Sequence, residues 1–540
     1  MTDIDEALPR AFTRWRRPRL TLVVIADHER QVTRLSIDRS SWAPARLITL
    51  VGRTPAEVHE ELSQLRVVHL VLDVRSATGP AQLDTLELSA FHLARRGAWV
   101  ALRSVIPARG DEPLVQLATQ LQGPQPRRVV ASSWRPYVRS LAVVHITRTM
   151  VVLRKKKPHM LSLRHDQVPA LLRSREPDLQ VTEIARLPGG VVDTTGRRFD
   201  YGVEPRVRVP DVLPYPEHVV RRYDGTVHLP RGPIAYHGRT LLPETFRRHL
   251  GAELDSPGLF TVGHHFGRLR DPTPPTERLE GSYFHFLYAN PGHFGHLMTE
   301  AFAKLWGWLP AKEADPSLKM LCRRKVGTTG PGLEQTLLPA FGVDPDDIVW
   351  IDGGVTVDSL VGCTPMWHNW TPYYANPAIL ETWARLRTGL IGTGPVEAEP
   401  RIFVTRRRHN RLCRNFAKVE RFFENHGFVV VAPEEHSIPD QVRMFAGARV
   451  IAGFAGASMF NLNYADAVET VIVLSQSAYH ARNEHLYAAV HGAELHSFWS
   501  TPNIDHPPDG LSYRAHQSRW KFDFATNAGP LAELLDGLVQ

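Results

Sequence analysis

Short apolar segments alternate with segments of helical period between residues 401 and 475. The apolar runs lie at positions 402–405, 428–431, 450–452 and 471–474. Between them, apolar residues recur three and four positions apart, and Asp440 follows Ser437 by three residues. Strands buried on both faces and joined by helices have this pattern. It predicts a parallel βαβαβ unit whose first helix begins after an Asn415 N-cap and ends at Gly427, and whose second begins at Ser437.

The same alternation recurs earlier in the chain. Strands are predicted at 20–26, 47–51, 67–72, 99–103, 141–146, 150–153, 283–288, 318–322, 348–351 and 360–361. Helices are predicted at 55–65, 82–96, 334–341 and 376–390, and the Pro- and Gly-rich residues 201–282 are predicted to be irregular apart from a short helix at 243–250. The fold class is therefore α/β. Four parts are expected: a Rossmann-like module at 1–106, a linker and small α/β segment at 107–200, and lobes at 201–390 and 391–540.

Candidate ligand-binding groups follow two strands of the βαβαβ unit. In a parallel sheet, ligands bind beyond the carboxyl ends of the strands. The first strand leads into Thr405, Arg406, Arg407 and Arg408, and the third leads into a glycine turn at 453–458 that opens a short helix through Asn461. Arginines and free helix N–H groups both bind phosphate, so the pattern indicates a diphosphate site. The alternative is a solvated basic loop beside an ordinary tight turn.

A family resemblance rests on this stretch. The run RIFVTRR at 401–407, the helix after it, and GFVVVAPEEHSIPDQVRMFAGARVIAGFAGASMFN at 427–461 resemble the C-terminal lobe of glycosyltransferase family 61. The resemblance extends over roughly residues 280–500. It implies a GT-B-like, inverting transferase that uses a nucleotide-activated sugar without a tightly held metal. Two positions depart from the family's pattern, because Ala455 stands where His or an acid is common and Phe416 where Glu is common.

A second group of polar residues lies on a helix predicted within residues 281–309. His296 and Glu300 stand four residues apart and therefore share one face of that helix. With His293 they have three interpretations: metal ligands, a structural His–Glu contact, or acid/base and acceptor-positioning groups. Their spacing fits none of the usual zinc motifs. The segment NPGHFGHLMTEAFAKLW also resembles the family's N-terminal lobe, which implies that His296 and Glu300 are site residues without deciding which is the base.

The leading hypothesis is an inverting, metal-independent glycosyltransferase. It would move a sugar from a nucleotide-diphosphate donor, expected to be a UDP-sugar, to a polysaccharide or glycolipid acceptor, with no tightly bound cofactor. GT-B-like lobes would place the donor on the later lobe and the acceptor on the earlier one. The alternative, motivated by Ala455 and Phe416, is a catalytically degenerate transferase fold that serves as a binding or scaffold protein in cell-surface polysaccharide assembly.

The hypothesis gives each candidate residue a role. The residues expected to bind the donor are Arg406, Arg407, Glu435, Gln441, Gly453, Gly456, Ser458 and Asn461. Of these, the arginines would hold the diphosphate and the glycine turn would add backbone contacts, since stabilising the leaving diphosphate is the largest task. Glu435 would contact the ribose or base, and Gln441 and Asn461 would set the local geometry. The two residues expected to face the acceptor are His296 and Glu300.

Composition limits the classes of protein. A chain of 540 residues with 43% hydrophobic and 22% charged residues is typical of a soluble globular protein with several domains. A net charge of +8 permits anionic partners. Nucleic acid is not an expected partner, because no zinc-finger, RNP or basic-zipper pattern occurs. A dehydrogenase is set aside because no GxGxxG follows the N-terminal strands.

Two further patterns bear on location. The three cysteines, Cys322, Cys363 and Cys413, are far apart, as expected in a reducing compartment, and no run of 18 apolar residues occurs. These features predict a cytoplasmic protein. Basic runs at 14–19 and 154–157 are interpreted either as solvated surface or as peripheral contact with the anionic inner face of a membrane.

Overall fold

The structure of the protein is a computed structural model. The structure describes residues 20–35, 46–75, 80–102, 113–122, 135–146, 150–251, 254, 256–325, 332–394, 396, 399–407 and 411–538. The chain forms two compact units, which we call the N-terminal unit (1–181, 235–245 and 252–273) and the C-terminal unit (182–234, 246–251 and 274–540). The basic run at 14–19 and Arg408 lie outside the described residues. The division into four domains stays a prediction.

Strands and helices alternate through most of the described chain, which confirms the α/β class. The strands are β1 Thr21–Ala26, β2 Arg46–Val51, β3 Val68–Asp73, β4 Leu93–Leu102, β5 Leu141–Ile146, β6 Met150–Lys155, β7 Met160–Ser162, β8 Gln180–Leu187, β9 Gly190–Asp193, β10 Arg198–Gly202, β11 Val212–Tyr215, β12 His218–Leu229, β13 Tyr236–His237, β14 Thr240–Leu241, β15 Leu259–Val262, β16 Phe266–Leu269, β17 Glu277–His285, β18 Lys319–Arg323, β19 Ile348–Ile351, β20 Val355–Cys363, β21 Trp367–His368, β22 Tyr374–Ala375, β23 Arg401–Val404, β24 Val429–Val431, β25 Val450–Phe454, β26 Thr470–Gln476 and β27 Glu494–Ser500.

Most of the helices are short. The α-helices are Glu29–Thr33, Pro55–Ser63, Pro80–Ala90, Pro113–Gln122, Arg135–Ser140, Val168–Arg175, Phe294–His296, Trp308–Ala314, Leu333–Phe341, Ile379–Ile391, Phe416–Glu424, Ile438–Ala446, Asn483–His491, Tyr513–His516 and Phe524–Gly537. Tighter 3₁₀ turns occur at Pro243–Thr245, Phe302–Gly307, Pro345–Asp347, Pro433–Glu435 and Ala457–Tyr464. In the described part of the chain, no helix combines the length and the apolar character needed to cross a bilayer.

The N-terminal unit contains a six-stranded sheet in the order β2-β1-β3-β4-β6-β5. Strands β1 to β4 run parallel, and β6 and β5 add as an antiparallel hairpin. The predicted helix at 82–96 is wrong in its second half, because the helix ends at Ala90 and β4 begins at Leu93. Gly97 allows β4 to approach β3 closely, since a side chain there would collide with the backbone carbonyl of His69.

The basic run at 154–157 is only partly solvated. Lys155 is 1% exposed. Its ammonium group donates to the carbonyl of Ala90 at 2.9 Å and lies 4.5 Å from the centre of the Phe91 ring. The interpretation of the whole run as solvated surface is therefore wrong for Lys155, because its position on β6 points it into the unit.

Histidines are buried together in the N-terminal unit. His59 Nδ1 lies 3.0 Å from His92 Nε2, and the His59 and His265 rings are 4.0 Å apart. Burial lowers the pKa of His59 to about 4 and that of His265 to about 3, and neighbouring histidines add to the effect. Burial also holds the pKa of His92 well below its usual range. These imidazoles are therefore neutral in the folded unit at neutral pH.

The stability of this unit should fall as the pH falls below about 6.5. Unfolded histidines bind protons there, whereas the folded ones stay neutral until about pH 4, so the free energy of unfolding decreases across that window. His59 alone accounts for on the order of 3 kcal/mol at about 1.4 kcal/mol per pKa unit. Urea unfolding, with hydrogen exchange of peptides from 55–73 corrected for intrinsic rates, measures this. A His59→Gln variant should show a shallower pH dependence, and an unchanged dependence would contradict the assignment.

The described part of the C-terminal unit contains two large sheets, besides the two-stranded pairs β9–β11 and β21–β22. The first has the order β10-β27-β26-β25-β23-β24 and is parallel throughout. The second includes β12-β20-β17-β18-β19, in which only the β12–β20 pair is antiparallel. Apolar cores cover both faces of the first sheet, with Ile402 and Val404 in one core and Phe403 in the other. Burial on both faces is the reason that its strands read as continuous apolar runs.

The predicted βαβαβ unit is confirmed as β23, β24 and β25 with their two helices. Ser437 caps the second helix, accepting from the Asp440 N–H. Asn415 precedes the first helix but makes no side-chain cap; its side chain instead pairs with the backbone of Phe522 through both its oxygen and its nitrogen. The predicted Asn415 N-cap is therefore wrong, because the C-terminal segment competes for the amide.

Residues 201–282 are more regular than predicted. They contain the twelve-residue strand β12, and β17 begins at Glu277 rather than at Tyr283. Both strands pair with β20, more than 70 residues further along the chain. When a strand pairs with a segment this distant along the chain, its local sequence does not reveal the pairing. The helix expected at 243–250 is reduced to a 3₁₀ turn at Pro243–Thr245.

The helix carrying His296 changes pitch along its length. It is α-helical at Phe294–His296, a π-turn at Leu297–Ala301, 3₁₀ at Phe302–Gly307 and α-helical again at Trp308–Ala314. The Thr299 hydroxyl donates to the Gly295 carbonyl at 2.8 Å, a bond that bends helices. The predicted helix is present, and π-turns of this kind occur frequently at functional sites.

Candidate functional site

A cleft of about 970 Å³ lies within the C-terminal unit. Its lining comes from the start of the His296 helix, the ends of β23 and β25, and the segments around 434–441, 479–483 and 513–517. Among its described lining residues there are four arginines but one carboxylate, namely Arg247, Arg248, Arg406, Arg411 and Glu434. The excess of positive charge favours an anionic ligand.

Arg406 and Arg411 supply fixed charge at one part of the cleft. Arg406 follows β23, and its Nη1 donates to the Ala455 carbonyl at 3.2 Å. Burial and the nearby Arg411 lower the pKa of Arg406 to about 10, so it remains cationic at neutral pH. The neighbouring imidazoles of His480 and His516 add no charge there, because burial lowers their pKa values to about 4 and about 2. The positive charge in this part of the cleft therefore comes from the arginines.

Arg407 and Glu435 do not line this cleft. They pair with each other at 3.4 Å, and their side chains are 52% and 55% exposed. The neighbouring acid, Glu434, lines the cleft instead, and its Oε2 is buried with no hydrogen-bond partner among the described residues. The 3₁₀ turn at Pro433–Glu435 turns the two acids in different directions, which residue order alone does not reveal.

The glycine turn has two distinct parts. Gly453 lies on β25 and is a packing position, since a Cβ there would lie 2.6 Å from Met459 Sδ and 2.7 Å from the Val404 carbonyl. Gly456 lines the cleft with a φ of +137°, and a Cβ there would overlap Arg406 Nη1. Its conformation and its neighbour both therefore require glycine.

A buried acid holds this turn in place. The Gly456 N–H donates to Glu484 Oε1 at 2.7 Å, and the Tyr479 hydroxyl donates to the same oxygen at 3.3 Å. Burial raises the pKa of Glu484. The Gly456 N–H is therefore not available to an anion. The N–H groups at the start of the 3₁₀ helix have no partner within the helix and can bind one. They include the N–H of Ser458, which lines the cleft.

Gln441 and Asn461 also line the cleft, and they contact each other. Asn461 Nδ2 donates to Gln441 Oε1 at 3.2 Å and to the Ser458 carbonyl at 3.2 Å. The Gln441 amide in turn donates to the His436 carbonyl at 3.0 Å. The structure therefore brings together Arg406, Gln441, Gly456, Ser458 and Asn461 of the predicted donor-binding residues.

His296 and Glu300 form a hydrogen-bonded pair beside the cleft. His296 Nδ1 lies 2.5 Å from Glu300 Oε1, and Arg247 Nη1 lies 3.1 Å from that oxygen. Burial raises the pKa of Glu300, but Arg247 and His296 outweigh burial and leave it lowered. An ionised Glu300 accepts the Nδ1 proton, which leaves Nε2 as the unprotonated ring nitrogen.

The Nε2 atom of His296 accepts a hydrogen bond from another polar group in the structure. The Asn290 amide nitrogen lies 2.9 Å from it, on the turn before the helix. His296 lines the cleft whereas Glu300 lies behind it, 9% exposed. This geometry allows His296 to take a proton from a ligand hydroxyl and Glu300 to orient the ring. Among the described residues, no group of three His, Cys, Asp or Glu side chains is arranged to hold a metal ion.

Sequence reasoning missed several residues that line or support the cleft. Arg247 precedes the family-like segment, Arg411 follows residues 408–410, and Glu484 lies 28 residues beyond Gly456. An arginine five residues after Arg406 was the only local signal for Arg411. Arg247 and Glu484 have no local signal, because tertiary contacts alone bring them to His296 and to the turn.

The cleft thus combines four arginines with a His–Glu pair beside it. Residues 294–473 match the family model described as Glycosyltransferase 61. This match covers about one third of the chain and confirms the resemblance seen in the sequence over that segment. The matched segment contains His296, Glu300, Arg406 and Gly456.

Comparisons over the whole chain add little. No curated protein matches this sequence. A solved structure of "MycE Methyltransferase from the Mycinamycin Biosynthetic Pathway in Complex with Mg and SAH" matches with 12% identity and a TM-score of 0.21. The match covers 28% of this chain and 48% of that one, about half of its length. A similarity this slight does not bear on fold or function.

Proposed function

We propose that this protein is an inverting glycosyltransferase that uses a nucleotide-diphosphate sugar as donor. One observation carries the proposal: arginines that can bind phosphate line the same cleft as His296, whose ring is hydrogen-bonded to Glu300. The family match over residues 294–473 supports a sugar-transferring activity. The two sheets of the C-terminal unit would correspond to the two lobes of a GT-B arrangement, with the N-terminal unit as an additional α/β domain.

His296 would act as the general base. Its Nε2 would take the proton of an acceptor hydroxyl as the oxygen attacks the anomeric carbon, and the bond to the diphosphate oxygen would break on the opposite side. Attack from the opposite side inverts the anomeric configuration. The Asn290 amide, which donates to Nε2 at 2.9 Å, marks where an acceptor hydroxyl would donate. Glu300 would keep the ring in the productive tautomer through Nδ1.

Arg406 and Arg411 would stabilise the leaving diphosphate. Negative charge grows on the leaving oxygen in the transition state, and fixed cations placed there beforehand lower the barrier. The start of the 3₁₀ helix at Ala457–Tyr464 would add N–H donors. Glu434 would take the role expected of Glu435, accepting from ribose hydroxyls with its buried Oε2. The reaction written in this way uses no tightly bound cofactor.

The finer assignments are part of the same proposal. A UDP-sugar donor, a polysaccharide or glycolipid acceptor and a cytoplasmic site of action fit the sequence pattern and the net charge of +8. Peripheral contact with an anionic membrane would bring a lipid-linked acceptor to the cleft. These choices determine which substrates are tested after the nucleotide itself.

Nucleotide titration tests the proposal. UDP, GDP, CMP and ADP are titrated by calorimetry into the whole protein, without and with magnesium, and we expect one nucleotide to bind selectively. Gly456→Ala should abolish that binding, because its φ of +137° disfavours alanine and the new Cβ would displace Arg406. Gly529→Ala is the matched control, since a Cβ there meets no atom within 4 Å. Absence of binding by the folded wild type would contradict the proposal and favour the scaffold interpretation.

A further inference from the structure

Asn461 presents an acceptor that the protein itself does not use. Its side chain is 1% exposed and lines the cleft. Both protons of its amide nitrogen are engaged, by Gln441 Oε1 and by the Ser458 carbonyl. Its Oδ1 is buried with no hydrogen-bond partner among the described residues. Because Asn461 also lines the cleft, a bound ligand is placed to supply the hydrogen bond that this buried oxygen lacks.

The engaged amide nitrogen restricts which ligand groups can fit. With both N–H groups of Asn461 occupied, the side chain can only accept a hydrogen bond there. Ionised phosphate oxygens have no proton to donate, so the diphosphate cannot be the partner. A hydroxyl group of a sugar can donate, and so can an N–H group of a base.

The position of Asn461 favours the transferred sugar as the group that donates a hydrogen bond to its Oδ1. Its neighbour Ser458 follows Gly456, which adjoins the Arg406 guanidinium. On the other side, Phe460 lies against Gly295, the residue before His296, at 3.1 Å from the position a Cβ would take. The contacts of its neighbours therefore connect Asn461 to the Arg406 side and to the His296 side of the cleft. In the proposed reaction the sugar lies between the diphosphate and the base, because its anomeric carbon joins the leaving oxygen to the attacking one.

We propose that Asn461 is a specificity-determining residue, whose Oδ1 accepts a hydrogen bond from one hydroxyl group of the transferred sugar. The inference rests on the proposed function. Gln441 is a positioning residue in this account, because it fixes the rotation of the Asn461 amide. A site built to bond a substrate hydroxyl rejects analogues that lack it strongly, since the buried oxygen then stays unpaired.

The test uses Asn461→Ala in the whole protein, with Asn463→Ala as matched control. Asn463 is also 1% exposed and also has an unpaired Oδ1 among the described residues, but it does not line the cleft. The nucleotide selected by titration is measured alone and as its glucose, galactose, N-acetylglucosamine and xylose conjugates. For the tightest-binding conjugate, the series of mono-deoxy sugars is then compared.

We expect wild type and Asn463→Ala to lose at least about tenfold in affinity when one particular hydroxyl is removed. Asn461→Ala should be insensitive to that removal, while its affinity for the free nucleotide stays within about twofold of wild type. Equal loss of nucleotide and conjugate affinity would overturn the proposal and make Asn461 a support of the turn. Unchanged discrimination would overturn it as well. If the wild type binds no nucleotide, the proposed function and the role of Asn461 both fail. This outcome differs from the two before it, in which the wild type does bind nucleotide.

Discussion

Replacing His296 by alanine should lower kcat by about 10²–10⁴-fold, the range expected when a general base is removed. The affinity for the nucleotide should change little, because the proposal places the imidazole beside the acceptor hydroxyl rather than beside the diphosphate. Single-turnover kinetics with the preferred donor and calorimetry with its nucleotide measure the two quantities separately.

Two further variants sharpen this prediction. His293→Asn keeps an N-cap at the start of the helix and leaves His296 in place, so it should retain most of the activity. Glu300→Gln should lower kcat less than His296→Ala does, because it weakens the control of the tautomer without removing the base. A His296→Ala enzyme within tenfold of wild-type kcat, or one that merely loses nucleotide affinity, would contradict the role of base.

Replacing Arg406 by alanine should lower kcat/KM by about 10²–10³-fold, as removal of one preorganised charge-stabilising donor does in other enzymes. It should also weaken binding of the free nucleotide, since in the proposed reaction the guanidinium would contact the diphosphate both before and after transfer. Arg406→Lys should recover only part of the loss, because a lysine keeps the charge but not the planar fork that bonds two oxygens.

Arg407→Ala is the matched control for this prediction. Arg407 is the adjacent residue with the same side chain, but it is 52% exposed and paired with Glu435 outside the cleft. Its removal should leave nucleotide affinity and kcat/KM within about twofold, as expected for an exposed ion pair. Equal effects at 406 and 407 would show that general positive charge, rather than a placed guanidinium, binds the donor.

Part of the site could be predicted because local sequence determines it. His296 and Glu300 meet because helical residues four apart share a face, and the π-turn between them does not separate them. Gly456 could be singled out because a glycine at the end of a buried strand signals a tight turn, and its φ of +137° shows why that residue is needed. Arg406 could be placed because the carboxyl end of β23 lies beside that of β25 in a parallel sheet.

The sequence could not show which of two adjacent residues of the same type faces the cleft. Arg406 and Arg407 are equivalent in sequence, as are Glu434 and Glu435, yet only the first of each pair lines the cleft. The direction of a side chain after a strand end depends on the backbone torsions of a short turn, which the surrounding structure decides. The contact at residue 455 was also not predictable from the residue type, because the Ala455 carbonyl, rather than its side chain, contacts Arg406.

The sequence alone determined the α/β class, the β23–β25 unit and the helix cap at Ser437, because apolar periodicity and capping act over a few residues. Only the tertiary structure decided that Lys155 is buried, that β12 and β17 pair with β20, and that Arg247 and Glu484 support the site. Each of these depends on contacts between segments 28 or more residues apart. Such contacts are selected by the packing of the whole unit, so no local pattern encodes them.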